Sequence, residues 1–238
     1  MFTKSIQQVR KSIFPLFFFG KNGTHGSLGT GFFIDDQGHF LTANHVVEAL
    51  PDGANLAYIG NIPNSNFQSK KPIGVQMLAQ DKRTDLALGR ITEEKLAPLQ
   101  FSENEALIGQ SIALCGYPLP NISTQKVTNN QTLVGIKIDV SQVRQYWQPT
   151  MKMDRIKKGT FYKKSFDSFI TQHASLPGMS GGPIFDLEGK VVGVNTANAT
   201  RQIQRKTGPI KVENGIGIEL TEVKDFVEKA MTMTTVAD

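Results

Sequence analysis

The chain has 238 residues, 39% of them apolar, with 26 basic and 21 acidic side chains that leave a formal net charge of +5. This length can bury one sizeable core or two small ones, and no apolar run approaches the roughly 18–20 residues of a transmembrane helix. A single cysteine, Cys115, excludes a scaffold built on intrachain disulfides. We therefore expect a soluble, cytoplasmic protein with no membrane partner.

The N-terminus carries the one segment that could be taken for a targeting signal. The apolar run at residues 13–19 follows three basic residues, but it is aromatic, only seven residues long and followed by Gly20-Lys21-Asn22-Gly23. A secretory signal would instead continue into small residues before a cleavage point. The pattern favours a buried first strand and leaves a signal peptide as the alternative.

Short runs of β-favouring residues bounded by Gly, Pro, Asn or Asp recur along the chain and predict strands. The candidates are residues 13–19, 30–34, 39–43, 55–60, 73–79, 85–91, 111–115, 132–139, 167–173, 183–186, 190–197 and 215–220. About a dozen short strands favour an all-β barrel or sandwich. Residues 116–131, rich in Pro and Asn, are predicted to connect the two halves. Val223, Phe226, Val227 and Ala230 have helical spacing and predict a C-terminal helix.

The strongest chemical signal is a serine among glycines, in Pro177-Gly178-Met179-Ser180-Gly181-Gly182-Pro183. Glycines let the backbone turn sharply and direct successive N–H groups into one concavity. A nucleophilic serine needs such donors where an oxyanion forms, although an ordinary glycine-rich turn has the same composition.

A serine hydroxyl also needs a base, and a histidine base needs an orienting carboxylate. Among four histidines, His45 ends the strand-like segment 40–44 and can face a cleft, whereas His25 and His39 are more simply solvent-facing. Asp85 begins an alternating strand, where its carboxylate can point inward. Taken singly, each has an ordinary structural explanation; the order His45, Asp85, Ser180 is what favours a catalytic one.

These segments resemble the trypsin-like, chymotrypsin-fold serine proteases, and within them the HtrA/Deg type. The matching stretches follow one another in family order: 29–34, 41–47, 83–88, 177–183, 190–197 and 215–218. The resemblance implies one domain of two six-stranded antiparallel β-barrels with a C-terminal helix, the first barrel over about residues 1–118 and the second over about residues 119–238. A PDZ domain is not expected in this chain.

The resemblance also implies a mechanism. Ser180 would be the nucleophile, His45 the general base and Asp85 the orienting acid, and the N–H groups of Gly178 and Ser180 would form the oxyanion hole. Peptide hydrolysis would proceed through an acyl-enzyme, with a protein or peptide as substrate and no metal or organic cofactor.

Two departures from the family bear on regulation and specificity. Met179 stands where digestive members have aspartate and HtrA-type members usually have asparagine, so the oxyanion loop is expected to be held by packing or reordered by an effector. Ala174 stands where trypsin has an acid, which disfavours Lys or Arg at P1. The expected substrate-binding residues, Ala174, Thr196, Ala197, Asn198 and Gly217, favour a small or medium apolar P1, with His173 leaving an acidic P1 as the alternative.

Residues 144–164 are predicted to form a long inserted loop. They carry seven Lys or Arg side chains against one acid, Asp154, together with Tyr146, Trp147, Phe161 and Tyr162. Such a loop suits nucleic acid or an acidic protein surface, although a solvated active-site loop is the simpler interpretation. Two further functions therefore stay open beside the protease: a catalytically silent binding or regulatory module, and a nucleic-acid-associated regulator. A regulatory protein or effector is expected for the protease, because an unregulated cytosolic protease would be harmful.

Overall fold

The computed structural model describes residues 2–20, 24–58, 73–92, 97–118, 123–129, 132–139, 143–161, 164–204 and 208–235. The helices in this part of the chain are α1 (Thr3–Val9), α2 (Asn44–Glu48) and α3 (Leu220–Thr235). Its strands are β1 (Ile13–Phe19), β2 (His25–Phe33), β3 (His39–Ala43), β4 (Asn55–Tyr58), β5 (Ile73–Gly74), β6 (Gln76–Asp81), β7 (Leu86–Arg90), β8 (Ser111–Gly116), β9 (Ser123–Asn129), β10 (Thr132–Asp139), β11 (Tyr146–Phe161), β12 (Lys164–Thr171), β13 (Pro183–Phe185), β14 (Val191–Ile203) and β15 (Ile210–Glu219). No described helix is long and apolar enough to cross a membrane.

The N-terminal half is a curled antiparallel sheet of seven strands, in the order β5-β4-β1-β2-β3-β7-β6. The apolar run at 13–19 is β1, which pairs with β2 on one side and β4 on the other. Its Phe14 ring packs against Phe33, Phe40 and Tyr58 with centroids 4.6, 5.3 and 4.6 Å away. Such aromatic contacts add to the free energy gained by burying the rings. The predicted buried first strand is confirmed.

The C-terminal half is a closed barrel in the order β11-β12-β15-β14-β13-β8. The all-β, two-barrel class is confirmed, although the first half is a seven-stranded sheet in the described residues. Strand β8 of the closed barrel lies before residue 118, so the chain enters the second barrel earlier than the predicted boundary. The assignment of both halves to a single domain stays a prediction. The predicted helix is α3, which buries Val223 and Ala230. Helix α1 was not predicted. Its N-cap residue, Phe2, packs edge-on against the ring of Phe185 in the barrel.

The prediction of a long loop at 144–164 was wrong, because most of this segment is β11, paired with β8 and β12. Side chains alternate along a strand, so Lys152 is buried with its Nζ 2.6 Å from Glu219 Oε1, while Met151 and Met153 face outward. Arg155 pairs with Glu105 at 2.7 Å. Two of the seven basic residues are thus neutralised within the fold, and Tyr162 and Lys163 lie outside the described residues.

The predicted connection at 116–131 also differs from the structure. Its residues 123–129 are β9, which pairs with β10 in a two-stranded antiparallel sheet. Of the Asn and Pro residues in this segment that the structure describes, Asn129 is the last residue of β9.

Candidate active site

A cleft of about 420 Å³ brings together side chains from both halves of the chain. The residues that line it are His45, Asp85, Phe166, Ser175, Leu176, Pro177, Ser180, Thr196, Ala197 and Asn198. The three predicted catalytic residues therefore face one space, although they are far apart in the sequence.

His45 is placed by the change from strand to helix. Ala43 at the end of β3 is still extended, and the single turn of α2 begins at Asn44. The His45 side chain is 38% exposed, and its Nδ1 lies 2.8 Å from Asp85 Oδ2. An ionised carboxylate only accepts hydrogen bonds, so Nδ1 carries the hydrogen and Nε2 is left as the basic nitrogen.

Asp85 is a buried carboxylate, 1% exposed, surrounded by hydrogen-bond donors. The backbone N–H of His45 donates to Oδ1 at 3.0 Å, and the Thr196 hydroxyl donates to Oδ2. Its backbone has φ of +62°, a left-handed conformation uncommon outside glycine but tolerated by aspartate. The Asn44 N–H donates to its carbonyl at 2.9 Å, which holds this conformation. Donors to both oxygens offset the cost of burying the charge.

The loop that carries Ser180 depends on two residues with positive φ, Gly178 at +93° and Gly181 at +83°. The N–H groups of Met179, Gly181 and Gly182 donate to backbone carbonyls at 2.8–3.1 Å. Within the part of the chain that the structure describes, the N–H groups of Gly178 and Ser180 have no acceptor. Two donors are thereby left for an oxygen of a bound molecule.

Packing and one threonine of the other half fix this loop. Met179 is fully buried in a cluster with Ile112, Phe169 and Ile184. The Thr30 hydroxyl donates to the Gly178 carbonyl at 2.8 Å, and the Thr30 N–H donates to the Ser180 carbonyl at 2.9 Å. The methionine thus acts as an apolar anchor of this loop, in line with the expectation that packing holds it.

The structure places only some of the predicted substrate-binding residues on the cleft. Thr196, Ala197 and Asn198 line it, but Ala174 and Gly217 are not among the lining residues. The Ala174 carbonyl accepts a hydrogen bond from Gln148 Nε2 at 2.8 Å, on the side of β11. A Cβ on Gly217 would point toward the Phe169 ring in the barrel interior.

His173 is exposed and also absent from the lining residues. Phe166 was missed by sequence reasoning, since a phenylalanine in an alternating strand is typical of a core position. It is indeed a core residue, 1% exposed in the main hydrophobic cluster, and one side of it also lines the cleft.

The family model of the trypsin-like peptidase domain matches residues 29–194. The chain belongs to the trypsin-like peptidase family. It is 33% identical over 176 residues to a probable periplasmic serine endoprotease DegP-like protein of Rickettsia prowazekii, covering 71% of this chain and 28% of the relative. A protein of the same name from Rickettsia conorii is 31% identical over 173 residues, with the same coverage. The trypsin-like serine protease class and the HtrA/Deg resemblance predicted from the sequence are confirmed, and the chain spans under a third of these relatives.

Two solved structures share the fold. The HtrA-type protease AlgW with decapeptide superposes with a TM-score of 0.67 at 16% identity, over 98% of this chain and 68% of that one. The active form of the Rv3671c protease from M. tuberculosis gives 0.61 at 19% identity, over 93% and 81%.

The expected cytoplasmic location was wrong, because the curated relatives are named periplasmic. The expectation depended on the single cysteine, which is buried and free. A fold stabilised by core packing needs no disulfide in an oxidising compartment, so a low cysteine count does not identify the compartment.

Proposed function

We propose that this chain is a serine endopeptidase in which Ser180 is the nucleophile, His45 the general base and Asp85 the orienting acid. The observation that carries the proposal is the shared cleft, in which the hydrogen-bonded His45–Asp85 pair and Ser180 face the same space. No residue of this arrangement requires a metal or organic cofactor.

In the first step the Ser180 hydroxyl attacks the scissile carbonyl carbon while His45 Nε2 takes its proton. Asp85, bonded to Nδ1 at 2.8 Å, holds the ring and stabilises the imidazolium that forms. His45 then gives the proton to the leaving amine, and the C–N bond breaks to leave an ester on Ser180. Water attacks the ester with the same base, which releases the acid and restores the hydroxyl.

The carbonyl oxygen becomes negative in each tetrahedral intermediate. The N–H groups of Gly178 and Ser180 are the donors that would bind it, and one such donor is worth about 3 kcal/mol of transition-state stabilisation. Met179 is buried, and Thr30 donates to the carbonyls of Gly178 and Ser180 on either side of it. These contacts hold the two donors in place before substrate binds.

We propose a small or medium apolar P1 residue. Ser175, Thr196, Ala197 and Asn198 line the cleft with uncharged side chains. Asp85, the acid among the described lining residues, is 1% exposed and already bonded to His45 and Thr196, so it does not select Lys or Arg. A peptide substrate agrees with two of the solved HtrA-type proteases, AlgW with decapeptide and AlgWS227A with tripeptide. A periplasmic site of action is proposed from the names of the relatives.

Cleavage of a peptide library tests activity and P1 preference together. We expect the wild-type chain to cut after small and medium apolar residues, and Ser180→Ala to cut nothing above background. Equal cleavage by both proteins would locate the activity elsewhere. Peptide binding without cleavage by the wild type would favour the catalytically silent binding module.

A further inference from the structure

Strands β14 and β15 continue past the barrel as a two-stranded ribbon. Within the described residues, β12 pairs with β15 only as far as Gly215, and β13 pairs with β14 only as far as Val194. The two strands nevertheless stay paired with each other to Ile203. Asn214 ties the base of the ribbon to the barrel, because its Nδ2 donates to both carbonyls of residues 171–172 at 3.1 Å. At about 3.4 Å per residue, the ribbon adds about 17 Å of paired strand.

One edge of this ribbon is open and begins at Ser180. The N–H and the carbonyl of Asn195 still bond to backbone groups of the loop that carries Ser180, at 2.9 and 2.8 Å. From Thr196 onward, no strand in the described part of the chain pairs with β14 on this side. The Thr196 carbonyl lies 3.4 Å from Ser180 Oγ, and residues 200–203 are exposed. An open strand edge of this kind is a template for an added peptide strand.

The proposed P1 site sets the direction and register of such a strand. A P1 side chain in the cleft places the P1 residue beside Thr196, where the open edge begins. The residues before P1 can pair only along the open edge, so the peptide runs antiparallel to β14. Counting one residue for one residue, P6 then lies opposite Arg201. Residues directly opposite each other on antiparallel strands share a face, with Cβ atoms about 4.5–5.5 Å apart.

Arg201 is suited to bind an acidic side chain at this position. It is exposed and makes no ion pair with any residue that the structure describes. Its neighbours on the same face are apolar, with Val212 directly across the ribbon and Ile203 two positions along β14. A guanidinium can donate two parallel hydrogen bonds to one carboxylate.

We propose that the ribbon extends the substrate site beyond the barrel, and that Arg201 selects an acidic residue at P6, the sixth residue before the scissile bond. This inference rests on the proposed function, since the register depends on a P1 residue beside Ser180. Alternation of side chains confines the preference to one face. An acid at P5 would instead share its face with Thr200 and Glu213, which are paired across the ribbon.

The test uses peptides of one sequence that carry Glu, Gln or Lys at P6. We expect kcat/KM for Glu to exceed that for Lys by about fivefold, the upper range for an exposed ion pair, and added salt to reduce the difference. Moving the Glu to P5 should abolish the gain. Arg201→Ala should remove the preference, and Arg201→Glu should invert it.

Lys211→Ala is the matched control, since it removes the same charge from the same ribbon. Lys211 lies opposite Gln202, on the other face and on the strand away from the open edge, and it pairs with Glu213. This variant should keep the wild-type ratio of Glu to Lys at P6. An equal loss of preference in Lys211→Ala and Arg201→Ala would show a general effect of charge and would overturn the role of Arg201, as would a wild type without any P6 preference.

Binding to Ser180→Ala gives a readout that needs no turnover. By fluorescence anisotropy, the peptide with Glu at P6 should bind Ser180→Ala about fivefold more tightly than the double variant Ser180→Ala, Arg201→Ala. A wild type that cleaves no peptide would overturn the proposed function alone if Ser180→Ala keeps this preference, and both proposals if it does not. An active wild type whose P6 preference survives Arg201→Ala would overturn only the role of Arg201.

Discussion

The two walls of the cleft come from different halves of the chain and are stabilised in different ways. The N-terminal sheet provides His45 and Asp85, which are joined by hydrogen bonds to a carboxylate buried to 1% exposure. The closed C-terminal barrel provides Ser180 on a loop fixed by backbone hydrogen bonds and by the buried Met179. One wall therefore depends on buried charge, and the other on backbone geometry and apolar packing.

Each wall also takes one anchor from the opposite half. Thr196 of the barrel donates its hydroxyl to Asp85, and Thr30 of the sheet donates to the Gly178 carbonyl. The geometry of either wall is thus complete only when the two halves are packed together. Substitutions on the two walls should consequently differ in kind: charge changes should affect proton transfer, and packing changes should affect the loop.

The largest effects should follow substitution of the residues that meet in the cleft. Ser180→Ala and His45→Ala should lower kcat by about 10⁴–10⁶-fold. Asp85→Asn should lower it by about 10⁴-fold, because the new amide donates toward Nδ1 and stabilises the wrong tautomer. Steady-state kinetics measure each loss, with thermal unfolding as the control for folding. A loss below tenfold in Asp85→Asn would remove the orienting role.

A buried ion pair away from the cleft shows what charge does without a catalytic role. Lys152→Met removes the 2.6 Å partner of the buried Glu219 and leaves it only Arg155 Nε at 3.4 Å, and should lower the free energy of unfolding by about 3 kcal/mol. The double variant Lys152→Met, Glu219→Leu should recover most of this loss. Chemical denaturation measures both values, and a double variant as unstable as the single one would contradict this explanation.

The same variant has a defined pH dependence. Burial raises the pKa of Glu219 above its usual 4.5, and Lys152 opposes that rise. Without Lys152 the pKa rises further, so above about pH 4.5 the folded state holds a proton that the unfolded state has lost. Stability of Lys152→Met relative to wild type should therefore fall as pH increases, with a larger deficit at pH 8 than at pH 5. A deficit independent of pH would show that Glu219 does not titrate in this range.

Packing beneath the nucleophile loop should have a comparable or smaller effect. Met179→Ala removes a fully buried side chain and should cost about 2–5 kcal/mol of stability, with kcat falling more than KM rises because the oxyanion donors lose their support. Met151→Ala is the control, since Met151 is 37% exposed on β11. Equal effects of the two substitutions on kcat would show that Met179 does not support the proposed oxyanion donors.

The smallest effect is expected at an exposed clasp between the halves. Arg83 pairs with Glu222 of α3 at 3.0 Å and donates to the Ser165 carbonyl, while Glu222 accepts from the Asp167 N–H. These contacts flank Phe166, which lines the cleft. Arg83→Ala should cost about 0.2–1 kcal/mol of stability and raise KM modestly.

Added salt should also lower the stability of the wild type and raise its KM, because salt screens the exposed charge of Arg83. Lys82→Ala, which removes a contact between Lys82 and Glu48, should leave KM unchanged. A KM equal to wild type in Arg83→Ala would disconnect the clasp from the cleft.

Several strands and the C-terminal helix could be predicted from local sequence patterns. The strands at 13–19, 39–43 and 132–139 and the C-terminal helix follow from apolar runs and periodicity. The strand at 146–161 was missed because its lysines are typical of a solvated loop, and Lys152 becomes a core residue only through Glu219, 67 positions away. The pairing of His45 with Asp85 could be predicted because both residues lie in segments that match the family's motifs in the same order. The hydrogen bonds between Asn198 and Ser175 could not be predicted, because they depend on a bulge in β14 and on the path of residues 173–178.

Covalent labelling by a fluorophosphonate tests most directly whether both walls meet to activate Ser180. We expect one label per wild-type chain, mapped by mass spectrometry to the peptide that contains Ser180, and loss of labelling in both Ser180→Ala and His45→Ala. Labelling that persists in His45→Ala at the wild-type rate, or that maps to another residue, would contradict it.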